Sequence, residues 1–481
     1  MLAEALAGLV FVPLLAACAV VVLPQRALLP IVLLGIVPLP LLLLPVTLVV
    51  MDQGLQIVAV AGFAPPLGIE WRLDGLALAL LWLHALIAVL VGLYALADYH
   101  PRHGKGRRFW VLWLLMTSAI NALLLSSDLF NLFVTLELLT LAAIGLLVID
   151  NKPAALRAGM RYLMLALLGS MLYLMGVAMV YAAAGTLDLY QAGTMLDPDP
   201  APIVALMLMT LGLLIKSAIF PLHGWLPAAH GNAPGPVSAV LSAMVVKASI
   251  YLIWRLWFWF ADGWSLDWAL TLLGLLGAGA IVYGSILACL QQRLKMMVAY
   301  STVAQLGYLL LLFPLFGSLA FGGAIYHLLA HGLAKAALFV AAANILNTLG
   351  TDRIDRLAGT DKRLPIDTFA IAIAGVSILG LPPSGGFIGK WLLLQEAWGQ
   401  AGWGWAAVLL IGGLLAAVYL FRPLASLCAR PLDDRVSVQA LPGSRYSLIA
   451  LILALLALAM GFMPALILDL TAADLPPGLA R

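Results

Sequence analysis

Apolar runs of about twenty residues, each long enough to cross a bilayer as a helix, alternate with short polar segments along almost the whole chain. They predict helices near 4–23, 28–50, 74–96, 109–127, 129–149, 160–184, 201–219, 237–259, 268–289, 296–316, 320–346, 366–398, 404–427 and 446–468. Two of these regions are interrupted. Between Gly212 and Lys247 two lysines, two histidines and four prolines disturb the apolar pattern, and Pro221 removes a backbone donor and disfavours helical geometry at Phe220. The helix carrying Lys216 should therefore end just after that lysine. Leu381-Pro382-Pro383-Ser384-Gly385-Gly386 breaks the long 366–398 run in the same way. A broken helix is tolerated at membrane depth only where its freed backbone is packed in protein or lines a wet cavity, and transporters build ion sites at such breaks.

Composition excludes a soluble globular protein: 64% of the residues are hydrophobic and 10% charged, with a mean hydropathy of +1.09, where about a quarter charged is usual for soluble domains. The expected fold is an all-α polytopic membrane protein of about 14 transmembrane helices. The net charge of +3 matters less than where the charges fall. Lys105, Arg107 and Arg108, then Lys152, Arg157 and Arg161, then Arg293 and Lys295, then Arg353, Arg356, Lys362 and Arg363 lie in loops after odd-numbered spans. The opposite loops carry Asp52, Glu70, Asp74, Asp188, Asp197, Asp199, Asp262 and Asp267. Positive residues favour the cytoplasmic side, so both termini are expected on the outer side of the cell inner membrane. Cys18, Cys289 and Cys428 have no paired spacing and imply neither a disulfide framework nor a metal knuckle. Leu15-Ala16-Ala17-Cys18 has the look of a lipoprotein cleavage site, but no Lys or Arg precedes it, so the segment reads as an uncleaved first span.

Setting the loop residues aside leaves Lys216, Lys247, Arg255, Lys335 and Lys390 within predicted spans. Arg255, near the outer end of its helix, reads as a snorkelling interfacial residue. The four lysines lie deeper, where each charge costs about 3 kcal/mol on insertion scales, which makes them functional candidates. A purely structural ion pair would explain one such lysine more readily than four. Glu137 is a natural partner: nine residues beyond Asp128, it stands about 13 Å further along a helix, at mid-membrane. Paired with Lys216, it would hold the lysine's proton when close and release it when the pair separates. His327, His331 and Lys335 share one helix face at i, i+4 and i+8, and histidine titrates where a proton relay needs it. His84 reads as a core residue, Glu396 as an interfacial one, and His223 and His230 flank the first break. No Cys or acidic ligand accompanies the histidines at metal-binding spacing, so no metal is expected.

The breaks recur with a period. Spans four to eight contain Glu137, Lys216 and Lys247, and spans nine to thirteen contain His327 to Lys335 and then Lys390, with a broken helix fourth in each set. Five spans is an odd number, so the second set is expected to be inverted relative to the first. The domains that follow are 1–108 (helices one to three), 109–262 (first repeat), 263–430 (second repeat) and 431–481 (helix fourteen).

These residues resemble a known family, the antiporter-like subunits shared by Mrp-type cation/proton antiporters, respiratory complex I and membrane-bound hydrogenases. The likeness covers nearly the whole chain. It rests on Asp128-Leu129-Phe130-Asn131-Leu132-Phe133 leading to Glu137; on Lys216-Ser217 followed by Phe220-Pro221-Leu222-His223-Gly224-Trp225-Leu226-Pro227; on Ala233-Pro234-Gly235-Pro236-Val237-Ser238; on Ala299 to Tyr308; and on Leu381 to Lys390. Lys390 is similar to the Mrp D subunit and to one complex I relative, where another complex I relative has a glutamate, and the Asp-Leu-Phe-Asn-Leu-Phe run is also similar to the Mrp D subunit, whereas Pro227-Ala228-Ala229-His230 is closer to the complex I and hydrogenase versions. The resemblance implies that Glu137 and Lys216 form a coupled pair, that Lys247 passes protons to the centre, that His327, His331 and Lys335 connect, and that Lys390 gates the exit. No long lateral helix of the kind carried by the largest subunits of the family is expected after span fourteen.

The expected function is that of a proton-translocating subunit of a multi-subunit Na⁺ or K⁺/proton antiporter, partnered by other membrane subunits and the lipid bilayer and not by nucleic acid. The alternative is a pumping subunit of a complex I-like oxidoreductase or hydrogenase. A non-transporting scaffold would leave four deep lysines and two broken helices without a purpose. No cofactor is expected, since the chain has neither a Cys cluster nor a dinucleotide glycine fingerprint.

Overall fold

The computed structural model of the chain describes residues 2–101, 104–430 and 444–472. Of the expected C-terminal segment 431–481, residues 431–443 and 473–481 lie outside the described residues. Backbone groups in hydrocarbon must be satisfied within the chain, which leaves the helix as the economical way across. Among the described residues eleven helices are long and apolar enough to span a membrane, or twelve if one pair bent by 76° counts as a single span. The other two segments predicted as spans are the interrupted ones, and they appear as shorter helices.

Contacts divide the chain into two units. Among the described residues, one runs to Ser217 and takes in Met244–Leu266 and 469–472; the other comprises Ala218–Ala243, 267–430 and 444–468. The first unit begins with α1 (Leu2–Val22) and α2 (Gln25–Gln53). An antiparallel hairpin that the sequence reading did not anticipate follows, β1 (Gln56–Ala59) with β2 (Glu70–Leu73), pairing Gln56 with Leu73. In β2, Trp71 and Leu73 are buried and Glu70 and Arg72 are half-buried, the period of two that a strand imposes. The helices α3 (Gly75–Ala95), α4 (Gly104–Leu125), α5 (Leu129–Leu147) and α6 (Pro153–Ala184) come next. A short α7 (Leu189–Met195) leads to α8 (Pro200–Lys216). Asp74, Asp128 and Asp188 cap α3, α5 and α7, each accepting from backbone N–H groups of the first turn.

As Pro221 predicts, α8 ends at Lys216. After the break come α9 (Leu226–Asn232) and α10 (Gly235–Phe260), whose N-terminal part lies in the second unit and whose remainder lies in the first. Two π-helical turns, Leu241–Val245 and Leu256–Phe260, bracket the α-helical stretch that holds Lys247. The second unit continues with α11 (Asp267–Leu290), α12 (Leu294–Leu315) and α13 (Ser318–Leu349). The broken pair α14 (Pro365–Leu379) and α15 (Gly385–Gly399) is separated by a left-handed Gly380 and a capping Ser384. Then come α16 (Trp403–Leu427) and the bent pair α17 (Tyr446–Phe462) and α18 (Pro464–Thr471). The most apolar windows of α10 and α13 are buried in full, whereas those of α1, α6 and α16 are less than half buried. A helix that is apolar all round and wholly buried belongs to the interior, and these two carry the ionisable residues Lys247 and His327, His331 and Lys335.

Each unit is tied by a β-bridge at one end. In the first, Asp128 pairs with Asp188: Leu129 N–H donates to Leu187 O and Leu189 N–H to Ser127 O. In the second, Arg293 pairs with Arg353: Leu294 N–H donates to Asp352 O and Ile354 N–H to Gln292 O. Both bridges close a loop of the same length, 60 residues. Each loop contains a 32-residue helix, α6 or α13, that ends on a left-handed glycine, Gly185 or Gly350.

Helices α6 and α8 touch through glycine. A Cβ on Gly212 would lie 2.3 Å from Gly169 O, and one on Gly169 would lie 2.7 Å from Gly212 O and 3.4 Å from the stem of Lys216. This close approach sets where the Lys216 side chain enters the protein. Substitution should be felt in proportion to size: Gly212→Ala lowers the thermal midpoint of the detergent-solubilised protein, and Gly212→Leu costs more, about 3 kcal/mol or above. Gly224→Ala, with nothing within 4 Å of its Cβ, leaves the midpoint unchanged, and scanning fluorimetry on the three variants checks the order.

Candidate functional site

In the first unit the break after α8 leaves the Lys216 ammonium pointing at α5. Its Nζ donates to Glu137 Oε1 at 2.8 Å and to Thr140 Oγ1 at 3.0 Å. Ser170 on α6 donates a short hydrogen bond to the same carboxylate oxygen. The two side chains differ in burial: Lys216 is 4% exposed and Glu137 19%. Lys216 is thus the more deeply buried partner, and the pair is a charge-assisted hydrogen bond in a poorly solvated site, where losing either partner strands the other. Lys247 is buried in α10, a helix that packs against α8.

The second unit brings together the other candidates. Lys335 Nζ donates to Val298 O at 2.9 Å and to Ser301 Oγ. The His327 and His331 rings stand parallel with centroids 5.8 Å apart, one helical turn along α13. The Tyr308 ring lies 5.1 Å from His327 on one side, and the Lys390 ammonium sits 4.6 Å over the Tyr308 ring. Lys390 Nζ also donates to Ile378 O at 2.6 Å and Leu379 O at 3.3 Å, carbonyls at the C-terminus of α14 that the helix break leaves without helical donors. His331, His327, Tyr308 and Lys390 therefore follow one another without a gap. His230 stacks on Phe339 at 4.9 Å and lies within electrostatic reach of Lys335 and Lys295.

Arg255 does not snorkel. It is 3% exposed and forms a two-point ion pair with Asp74, Nη1 to Oδ2 at 2.5 Å and Nη2 to Oδ1 at 2.6 Å, with its guanidinium over Tyr251 and Trp259. The sequence shows an arginine near a helix end and an aspartate in a loop, and gives no sign that they face one another. Lys295 is a second correction. Its place before a predicted span suggested an exposed loop residue, yet it is buried in the first turn of α12 and donates to Ala233 O at 2.6 Å. Sequence reasoning also passed over Thr140, Ser170, Ser301 and Tyr308, because a hydroxyl or a tyrosine in an apolar span reads as packing. Glu396 accepts from Leu319 and Ala320 N–H at the start of α13, in keeping with a helix-end role.

Where the hairpin meets the start of α5, Glu70, Arg72, Ser127, Asp188, Tyr190 and Gln191 line a polar cleft of about 180 Å³. Burial pushes the Glu70 and Asp128 carboxyls up from the usual carboxylate range, and Asp188 adds to both shifts. Among the described residues no three His, Cys, Asp or Glu side chains converge on a point where a metal ion could be held.

Known proteins resemble this chain in sequence and in fold. The family described as NADH:quinone oxidoreductase/Mrp antiporter, transmembrane, matches residues 126–417. The N subunit of the NADH-quinone oxidoreductase of Desulforudis audaxviator is 36% identical over 396 residues, covering 80% of this chain and 78% of that protein. The D subunit of the Na⁺/H⁺ antiporter of Bacillus subtilis is 28% identical over 380 residues, covering 78% of this chain and 76% of that protein. Among solved structures, a chain of the Mrp complex from Dietzia sp. superposes with a TM-score of 0.89 at 27% identity, covering 98% of this chain and 97% of its own length. A chain of respiratory complex I from Thermus thermophilus superposes at 0.76 with 26% identity, covering 97% and 98%.

Removing Asp74 strands a buried guanidinium, which costs about 3–5 kcal/mol. Asp74→Ala should therefore lose more stability than the paired replacement Asp74→Leu with Arg255→Leu, and a double-mutant cycle of unfolding in mixed micelles measures the coupling.

Proposed function

Because this chain belongs to the NADH:quinone oxidoreductase/Mrp antiporter family, we propose that it moves protons as one membrane subunit of a multi-subunit Na⁺ or K⁺/proton antiporter. The observation that carries this reading is the Lys216–Glu137 pair at the end of a broken helix. While the carboxylate stays close it holds the lysine's proton, and a competing charge or a parted pair frees it. Lys247 takes the proton onward. In the second unit Lys335 and the stacked His331 and His327 lead to Lys390, whose amine faces the carbonyls of the second break. Polar side chains and the water they hold supply the remaining steps.

Glu137 supports an assembly. It lies on the same face of α5 as Phe130, Val134 and Leu141, all more than 40% exposed. A partly open carboxylate in an apolar membrane-facing stripe is costly against lipid, and a neighbouring subunit over that face removes the cost. Two inverted repeats, 109–262 and 263–430, flanked by 1–108 and 431–481, fit the matched 60-residue loops and 32-residue helices. One bridge joins two aspartates and the other two arginines. Positive residues favour the cytoplasmic side, which supports placing the arginine bridge on that side of the cell inner membrane and both termini outside.

The alternative, a pumping subunit of a redox-driven oxidoreductase, is favoured by the 36% identity to the oxidoreductase relative, above the 28% to the antiporter relative. One experiment separates the two. Inverted vesicles containing the whole native complex are given a pH gradient, and its collapse on adding Na⁺ or K⁺ is followed for wild type and Lys216→Ala at matched subunit levels. The antiporter reading expects cation-driven collapse that the variant abolishes. If cations do nothing and a redox substrate builds a gradient that the variant prevents, the alternative holds. If Lys216→Ala is silent in both assays, the chain is a scaffold.

In the assay that shows transport, Tyr308→Leu should slow it about tenfold, the worth of a desolvated cation–π contact. Tyr308→Phe should keep it, because the ring face and not the hydroxyl meets Lys390.

A further inference from the structure

Away from the ionisable core, where the C-terminal end of α1 meets the first turns of α4 and the last turns of α5, the first unit holds a cleft of about 520 Å³. Its walls are mainly apolar, built from Val21, Val111, Leu112 and Val148, and Arg107, Arg108 and Asn151 complete the lining. Arg107 Nη2 donates to Leu23 O at 2.5 Å, which anchors that guanidinium beside the end of α1. Arg108 is exposed and makes no hydrogen bond or ion pair among the described residues. The nearby Asp150 is engaged by Lys105 at 3.5 Å and Lys152 at 3.9 Å, so it does not neutralise the two arginines.

We infer that this cleft binds an anionic phospholipid, with its phosphate on Arg107 and Arg108 and the start of an acyl chain along the Val111–Leu112–Val148 wall. Three observations favour that occupant. Two guanidiniums at the boundary end of membrane-spanning helices match a phosphate, and basic pockets between such helices are lipid headgroup sites. The wall is open at the rim, since Val21, which lines it, is 56% exposed. The volume is too small for a partner's helix: at a diameter of roughly 10 Å, about 520 Å³ holds little more than one turn. This site does not depend on the transport reading, because it needs only the membrane-spanning fold.

The test uses the intact complex, delipidated in detergent and titrated with phosphatidylglycerol carrying a photoactivatable acyl chain, with labelled peptides identified by mass spectrometry. Wild type should label peptides of α4 and α5 that line the cleft, and unlabelled phosphatidylglycerol should compete where phosphatidylcholine and inorganic phosphate do not. Arg108→Gln, which breaks no bond among the described residues, should weaken apparent affinity about fivefold. Gly145→Leu, which places a side chain against Leu112 in the cleft, should lower labelling at saturation. Equal labelling by photoactivatable phosphatidylcholine means non-selective boundary lipid and overturns the proposal. So does competition by inorganic phosphate alone, which makes the site one for soluble anions. The absence of labelling in the complex, with labelling once a partner chain is dissociated, assigns the cleft to that chain and overturns it as well.

Discussion

An ammonium group can stay deep in a bilayer protein only if oxygen faces it, and the first unit is arranged around meeting that demand at Lys216. Helix α8 stops at Lys216, so the ammonium comes at the end of the helix and reaches across to its neighbour. The neighbour has to be α5, whose Asp128 cap fixes the start of the helix and so the depth of Glu137. The contact between Gly169 and Gly212 brings α6 close enough for Ser170 to complete the carboxylate's shell. Each of these features would be an oddity alone. Together they are the conditions under which one buried charge pair can exist.

The second unit meets the same demand differently. Lys335 and Lys390 face a hydroxyl and backbone carbonyls, with an aromatic face added for Lys390. A carbonyl accepts from an amine whether or not the amine carries a charge, whereas a carboxylate ties its own charge to its partner's. The family resemblance assigns Glu137–Lys216 to coupling and Lys390 to exit, and this difference in oxygen chemistry fits that division. A coupling element must respond to a neighbouring charge, and an exit must hold an amine in both of its states.

Much of this was legible in the sequence because insertion into lipid leaves so few choices. A twenty-residue apolar run has one backbone solution, a proline inside it has one consequence, and a lysine within it needs a reason. The end of α8, the gap between α14 and α15, and the shared face of His327, His331 and Lys335 all follow from those rules. Partnership was less legible. Glu137 was matched to Lys216 by depth along a helix, a one-dimensional argument that works for helices crossing the same bilayer. Arg255 and Asp74 are 181 residues apart, and one of them sat in a presumed loop, so depth gave no guide. Lys295 was placed in a loop because the first turn of a buried helix and the loop before it look alike in sequence. The hairpin at Gln56–Leu73 was missed because four-residue strands are too short for alternation to register.

Contact through Gly169 and Gly212 also limits how the pair can move. Two helices whose backbones already touch have no slack left in the direction that joins them, since protein interiors compress little. Pushing α6 and α8 together is ruled out, and pulling them apart would open an empty seam beside Lys216. Further along the same seam a Cβ on Gly176 would lie 2.6 Å from Ala205 O, so α8 is held at two points and cannot tilt about one of them. The compliant motion left is a swing of the lysine stem past Gly169, which carries the ammonium across the carboxylate while the two helices keep their spacing.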